Sequence, residues 1–341
     1  MQIDHLNLRN CAARYFVIWC LLAGYDACSG PLEIQWQKGF GGSGSDEASV
    51  VRQTADGGYI IGGSSSSATN GNKLTGSYSG YDYWVVKVDR DGNRQWEADF
   101  GGMSDDQLYD IEVSSDGGYL LGGYSRSCLA GNKTAACRGG YDFWVVKLDQ
   151  NGNWQWDQTY GGLGTDWLTS LRQTSDGGYV LAGLSDSVVS TNKNGTAFGF
   201  QDYWLVKTDA SGNRQWDATF GGTNVDVPNC VRQTSDGGFI IAGSSSSGIS
   251  GNKTSAWYGG FDYWLVKLRL LPHFEVTTAT AQSFHAQLFG IPSTSYVFEC
   301  SQELTNWTAL RTNSSINGLI TFDDDSAGSF QRRFYRAREL R

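Results

Sequence analysis

Histidine is almost missing. The 341 residues hold 3, His5, His273 and His285, and none falls between 34 and 270. That gap excludes a Ser–His–Asp or Cys–His site, and any His-ligated metal, over that span. Proline is equally scarce at 4, against 45 glycines and abundant Trp, Tyr and Phe. High Gly with many aromatics is not a disorder composition, because ample apolar surface is present to bury. It suggests short strands joined by tight turns. Positive charge is also in deficit, with a net charge of −9. A basic nucleic-acid footprint is therefore absent, and an acidic surface repels phosphate backbones and anionic lipid. No apolar run of about 18 residues occurs in the body of the chain, so no internal transmembrane helix is expected. Gly-x-Gly loops opening a helix are missing too, since "GGSG" joins strand-like runs, which removes a nucleotide signal.

What is present begins with a leader. Arg9 and Arg14 precede the apolar run "YFVIWCLLAG", and the small residues of "DACSG" follow. This reads as a signal peptide over 1–29, cleaved after Ser29, and implies an exported protein. Of 7 cysteines, Cys11, Cys20 and Cys28 leave with it. Cys128 and Cys137 sit in one loop, "SCLAGNKTAAC", and are expected to pair in an oxidising compartment. Cys230 and Cys300 read as small core residues, with a bridge between them left open.

The body is written in a period of 60. "TADGGYIIGG", "SSDGGYLLGG", "TSDGGYVLAG" and "TSDGGFIIAG" carry Asp56, Asp116, Asp176 and Asp236. Trp84, Trp144, Trp204 and Trp264 recur inside "DYWVVK"-type runs, and Asn72, Asn132, Asn192 and Asn252 each precede a Lys. Fixed self-similarity of this length marks a repeat architecture. Each unit reads as four strands: "ASVVRQT", an Asp-Gly-Gly turn, "YIIGGSSS", a long polar loop, "YWVVKVD", a Gly-Asn turn and "RQWEADF". Apolar residues on both faces of the middle strands fit sheets covered on both sides. Four-stranded units stacked this way are β-propeller blades. The expected fold is all-β: a four-bladed propeller over 30–270, then a small β-sandwich-like module over 271–341. The fourth unit lacks its last strand, and "LEIQWQKGF" near the N-terminus is a spare copy of it. Pairing the two is expected to close the ring and remove open edges.

The pattern D-G-G-Y … D-Y-W-V-V-K-x-D-x-x-G-N-x-x-W resembles the repeats of secreted bacterial β-propeller proteins, many of unassigned activity. More distantly it resembles the Trp-bearing blades of quinoprotein dehydrogenases, although His-poor unbroken units give no support for a quinone. The tail, with "YVFECSQELTNWTAL" and "RRFYRA", is similar to a C-terminal all-β module of large secreted bacterial proteins. The resemblance implies an extracytoplasmic repeat protein. Some proteins with such repeats carry glycanase labels, which makes a hydrolase the alternative.

Long loops gathered at one end of the blades are where binding is expected. Asp46, Asp106, Asp166 and Asp226 should ring the axis there. They could form a carboxylate funnel for a hard cation such as Ca²⁺; no other cofactor is expected. Asp in turns more often bonds its own loop, which is the competing reading. Asymmetry between repeats points to ligand contacts. One loop column reads Tyr78, Arg138, Phe198, Tyr258, with Trp257 beside the last, and Trp167 follows Asp166 where the other repeats have no aromatic. Aromatics on polar loops can stack on sugar rings. Glu47 is the one Glu on that face, and no carboxylate pair stands out for glycoside hydrolysis. The expected role is non-catalytic recognition of an extracellular polysaccharide or cell-surface protein. A glycan-cleaving enzyme and a structural surface protein are the alternatives.

Overall fold

The 60-residue period folds into repeated antiparallel sheets. The computed structural model describes residues 32–190, 192–269, 273–280, 283–291, 294–315 and 319–340. The signal-peptide reading of 1–29 lies outside them. By chain contacts, residues up to Gln37 form one unit and Lys38–Arg341 another. The second is described here.

The first sheet holds β1 (Asp46–Gln53), β2 (Tyr59–Ser65), β3 (Asp82–Val88) and β4 (Arg94–Phe100) in chain order. The second repeats it with β5 (Asp106–Val113), β6 (Tyr119–Ser125), β7 (Asp142–Leu148) and β8 (Trp154–Tyr160). The third has β9 (Asp166–Gln173), β10 (Tyr179–Ser185), β11 (Asp202–Thr208) and β12 (Arg214–Phe220). The fourth stops at three, β13 (Asp226–Gln233), β14 (Phe239–Ser245) and β15 (Asp262–Leu268). The Asp-Gly-Gly hairpins use Gly57, Gly117, Gly177 and Gly237 at positive φ, which a side chain would resist.

The expected closing strand is not formed. Residues 32–40 carry no strand, and among the described residues the fourth sheet holds three strands, ordered β13-β14-β15. Sheets pack first on second, second on third and third on fourth. Each interface seats one ring on the next sheet's Trp. Tyr83 meets Trp144, Phe143 meets Trp204 and Tyr203 meets Trp264, every centroid separation being 4.7 Å. Where the ring is a Tyr, its Oη–H donates to the carbonyl of that Trp, at 2.9 Å for Tyr83 and 3.2 Å for Tyr203. The close approach also requires glycine. A Cβ on Gly122 would lie 2.2 Å from Leu171 Cδ2, and one on Gly62 would lie 2.4 Å from Ile111 Cδ1.

Charge ties the first strands together as well. Asp110 of β5 accepts from Arg52 of β1 and Arg172 of β9, both at 2.6 Å. The other repeats place Val50, Ser170 and Cys230 in that column.

Two further sheets follow. One is β16 (His273–Ala279), β17 (Phe284–Phe289) and β20 (Leu319–Asp324); the other is β19 (Thr308–Ser315), β18 (Thr294–Ser301) and β21 (Phe334–Glu339). Leu288, Phe298, Ile320 and Phe322 from both sheets share one core, with Phe298 stacked on Phe322 at 4.8 Å. Both sheets follow residue 270 and are antiparallel. Among the described residues no α-helix occurs, and no helix is long and apolar enough to cross a membrane.

The three interfaces should be interchangeable. Tyr203→Phe removes one buried hydrogen bond and should lower unfolding free energy by about 1 kcal/mol. Phe143→Tyr places a hydroxyl toward the Trp204 carbonyl and should be neutral or stabilising by up to about 1 kcal/mol. Denaturant midpoints decide both, and a loss above about 1 kcal/mol for Phe143→Tyr would break the equivalence.

Candidate functional site

The long loops are built from the repeated Asn-Lys pair. Asn132 accepts from Gly101 N–H at 2.9 Å and donates to the Asp99 carbonyl at 2.8 Å, tying its loop to the preceding sheet. Asn252 does the same with Gly221 and Thr219. The adjoining Lys is buried over the Trp of its own repeat. Lys133 Nζ lies 4.8 Å from the Trp144 ring and Lys73 Nζ lies 5.2 Å from Trp84. Such cation–π contacts gain strength away from water. Lys73 also forms a buried ion pair with Asp99 at 2.8 Å, and burial lowers Lys133 to about 8. The Lys side chains thus hold the loop base and present no charge to a ligand.

The carboxylates proposed as a funnel are clamps. Asp106, Asp166 and Asp226 are fully buried. Each accepts from a Gly N–H four residues earlier and from a Ser hydroxyl 21 residues later, at 2.8–2.9 Å. Asp46 makes the same bonds on the more open first sheet. A second set, Asp142, Asp202 and Asp262, accepts the N–H of Arg138, Phe198 and Tyr258, each at 2.7 Å. Asp82 accepts from Tyr78 in the same way. These bonds set the backbone of the loop column that carries the expected ligand contacts.

The two sets meet at each interface. A Cβ on Gly101 would sit 1.7 Å from Asp82 Oδ1 and 2.9 Å from Asp106 Oδ2, and Gly161 is flanked likewise by Asp142 and Asp166. Asp82, Asp142 and Asp202 each keep one buried oxygen without a donor. Burial, with a neighbouring carboxylate adding to it, raises Asp82 to about 8 and Asp142 and Asp202 to about 6. Protonation makes the orphan oxygen a donor beside the second carboxylate and removes one charge of two. Among the described residues no three or more His, Cys, Asp or Glu converge as a metal centre.

The aromatics divide. Trp167 lies on β9, stacked on Tyr124 at 5.0 Å and edge-on to Tyr141 at 5.8 Å, so its indole packs between two sheets. Phe198 is half-buried over Gly251, and Tyr78 lies over Gly131 of the next loop. Trp257 and Tyr258 are exposed, with the Trp257 indole donating to the Gly260 carbonyl at 3.0 Å. Arg138 and Glu47 are exposed. The disulfide Cys128–Cys137 is formed within its loop, while Cys230 and Cys300 are free thiols. Two features escaped the sequence reading. Phe200 is an exposed loop aromatic whose column otherwise holds Gly80, Gly140 and Gly260. A cleft of about 450 Å³ opens at the opposite, Asp-Gly-Gly end, lined by Asp56, Lys87, Gln95, Trp96 and Tyr119. Asp56 and Lys87 have counterparts in all four units, and Gln95 and Trp96 in the first three, so their spacing reads as turn chemistry alone.

The raised carboxyls give stability a defined pH dependence. Through these groups the folded state binds more protons than the unfolded chain between about pH 4 and 8, so stability falls as pH rises across that window. Asp142 and Asp202 act between about pH 4 and 6, and Asp82 between about pH 4 and 8. Asp236, lowered to about 2 by Lys267, acts oppositely below pH 4. Melting temperature should therefore peak near pH 4. Asp142→Asn should flatten the decline from pH 4 to 6; an unchanged slope would remove the assignment.

No family model and no curated protein matches the chain. Among solved structures, the Vibrio cholerae biofilm matrix protein Bap1 aligns at 11% identity with a TM-score of 0.18, over 86% of this chain and 50% of that one. The chain thus spans half the length of that structure.

Proposed function

We propose that the protein is an exported, non-catalytic recognition protein whose four-stranded units are propeller-type blades. Its ligand is an extracellular glycan bound at the long-loop end. The carrying observation is the pair of exposed aromatics peculiar to single repeats. Trp257 is 50% exposed and Phe200 is 72% exposed. Blade structure does not call for either, because the other repeats hold Ser77, Cys137 and Ala197 in the first column and only glycines in the second. Flat rings on polar, hydroxyl-rich loops suit the apolar faces of sugars, with Asn and backbone groups left for hydroxyls.

A hydrolase would need two reachable carboxylates, one held protonated. The protonated candidates here, Asp82, Asp142 and Asp202, are fully buried. Their raised pKa serves packing. The loop disulfide Cys128–Cys137 is compatible with an oxidising location.

A polysaccharide panel read for binding and for released reducing ends tests this. Binding without release is expected, and the Trp257→Ala/Phe200→Ala protein should bind at least tenfold more weakly with an unchanged melting temperature. Reducing ends released by the wild type would replace recognition with hydrolysis. Undiminished binding by the double variant would exclude the aromatic site.

A further inference from the structure

The seams between neighbouring sheets are not closed alike at their Asp-Gly-Gly ends. Between the second and third sheets the lock is Gln173, the last residue of β9. Its Oε1 accepts the Ser115 N–H of the neighbouring hairpin at 2.7 Å, and its Nε2 donates to the Gly177 carbonyl of its own hairpin at 3.3 Å. Gln233 repeats both bonds between the third and fourth sheets, with Ser175 N–H at 2.8 Å and the Gly237 carbonyl at 3.3 Å. One carboxamide thus spans each seam and satisfies a donor on one sheet and an acceptor on the next.

Between the first and second sheets the same column holds Val113. Valine neither accepts nor donates. Ala55 N–H and the Gly117 carbonyl are the counterparts of the groups that Gln173 joins, and among the described residues no protein group bonds them. The cleft of about 450 Å³ opens at this seam, with Val113, Ala55 and Gly117 in its lining. That volume lies in the range of about 300–1,000 Å³ found for small-ligand sites. Tyr119 is buried in the wall. Where Tyr179 Oη has Ser114 Oγ at 3.3 Å, the Thr54 hydroxyl beside Tyr119 donates to Asp56 instead. Gln95 accepts from Lys87 through Oε1 at 2.8 Å, which leaves its NH2 as a donor. Gln150 and Asn151 add two further amides, where the corresponding turn of the third sheet has Ala210 and Ser211. The charges are matched internally, Lys87 with Asp56 at 2.8 Å.

We propose that this cleft binds a neutral saccharide, with two adjacent ring hydroxyls in the place that Gln173 and Gln233 fill in the other seams. One hydroxyl accepts from Ala55 N–H and its neighbour donates to the Gly117 carbonyl, since a hydroxyl can do either. The half-buried Trp96 gives the sugar ring an apolar wall. Donors and acceptors of both kinds, with no unmatched charge, select a neutral polyhydroxyl ligand over an ionised one. The site lies at the opposite end of the sheets from Trp257 and Phe200 and does not rest on the reading made for them.

Saturation-transfer NMR on the full protein tests this with a panel of neutral mono- and disaccharides, and with propanamide as a bare carboxamide. At least one sugar should receive signal at millimolar concentration. Val113→Gln writes the other two seams into the first, and should weaken that binding by about tenfold or more while the melting temperature is unchanged or higher. Gln150→Ala/Asn151→Ser carries the residues of the third sheet's turn, and should weaken it about fivefold. The Trp257→Ala/Phe200→Ala protein should bind the sugar as the wild type does. Transfer to no sugar, or to propanamide alone, would overturn the proposal. So would binding left unchanged by either cleft variant, or binding lost in the Trp257→Ala/Phe200→Ala protein, which would place the sugar at the long-loop end.

Discussion

One contact sets the spacing of the whole array: an aromatic ring from one sheet lying on the Trp of the next. Its centroid distance is 4.7 Å at every occurrence. To reach it, the two sheets must come close enough that Gly62 and Gly122 have no room for a Cβ. The Trp is held by the loop Lys as well, whose ammonium lies over its ring. The loop that delivers the Lys is then tied back to the preceding sheet by Asn. Glycine content, the Asn-Lys pair and the fixed period are thus consequences of one packing step. Aromatic pairs in such geometry contribute about 0.5–1.5 kcal/mol beyond their buried area.

The same step explains what was legible in the sequence. Strands, hairpin turns and the loop disulfide follow from local residue choice, so the four-strand unit and Cys128–Cys137 could be read directly. The strands after residue 270 were legible through their alternation. Closure was not, because it depends on the angle between sheets, which no residue encodes alone. "LEIQWQKGF" has the composition of a fourth strand, but residues 32–40 form none. Trp167 was read as a loop aromatic because nothing local reveals that Tyr124 and Tyr141 converge on it. Asp110 gave no signal either, since its two arginine partners lie 58 and 62 residues away.

Buried acids illustrate why repetition is a poor guide to ligands. A carboxylate present in every unit, with a Gly N–H and a Ser hydroxyl always in reach, is part of the unit. Its desolvation is offset by those hydrogen bonds and, at the second set, by holding a proton. Ligand contacts are better sought where one repeat departs from the others at the surface, as at Trp257 and Phe200. The end of the array departs in another way. On the fourth sheet, Tyr263 and Leu265 of β15 are exposed where Tyr83, Phe143, Tyr203 and Val85, Val145, Leu205 are buried.

A double-mutant cycle on Phe143 and Trp204 measures the central contact most directly. This pair has no hydroxyl, so packing alone is read. Phe143→Leu, Trp204→Leu and the double variant should give a coupling of about 0.5–1.5 kcal/mol in unfolding free energy. A coupling indistinguishable from zero would mean that the rings are adjacent without holding the sheets together, and would contradict the account.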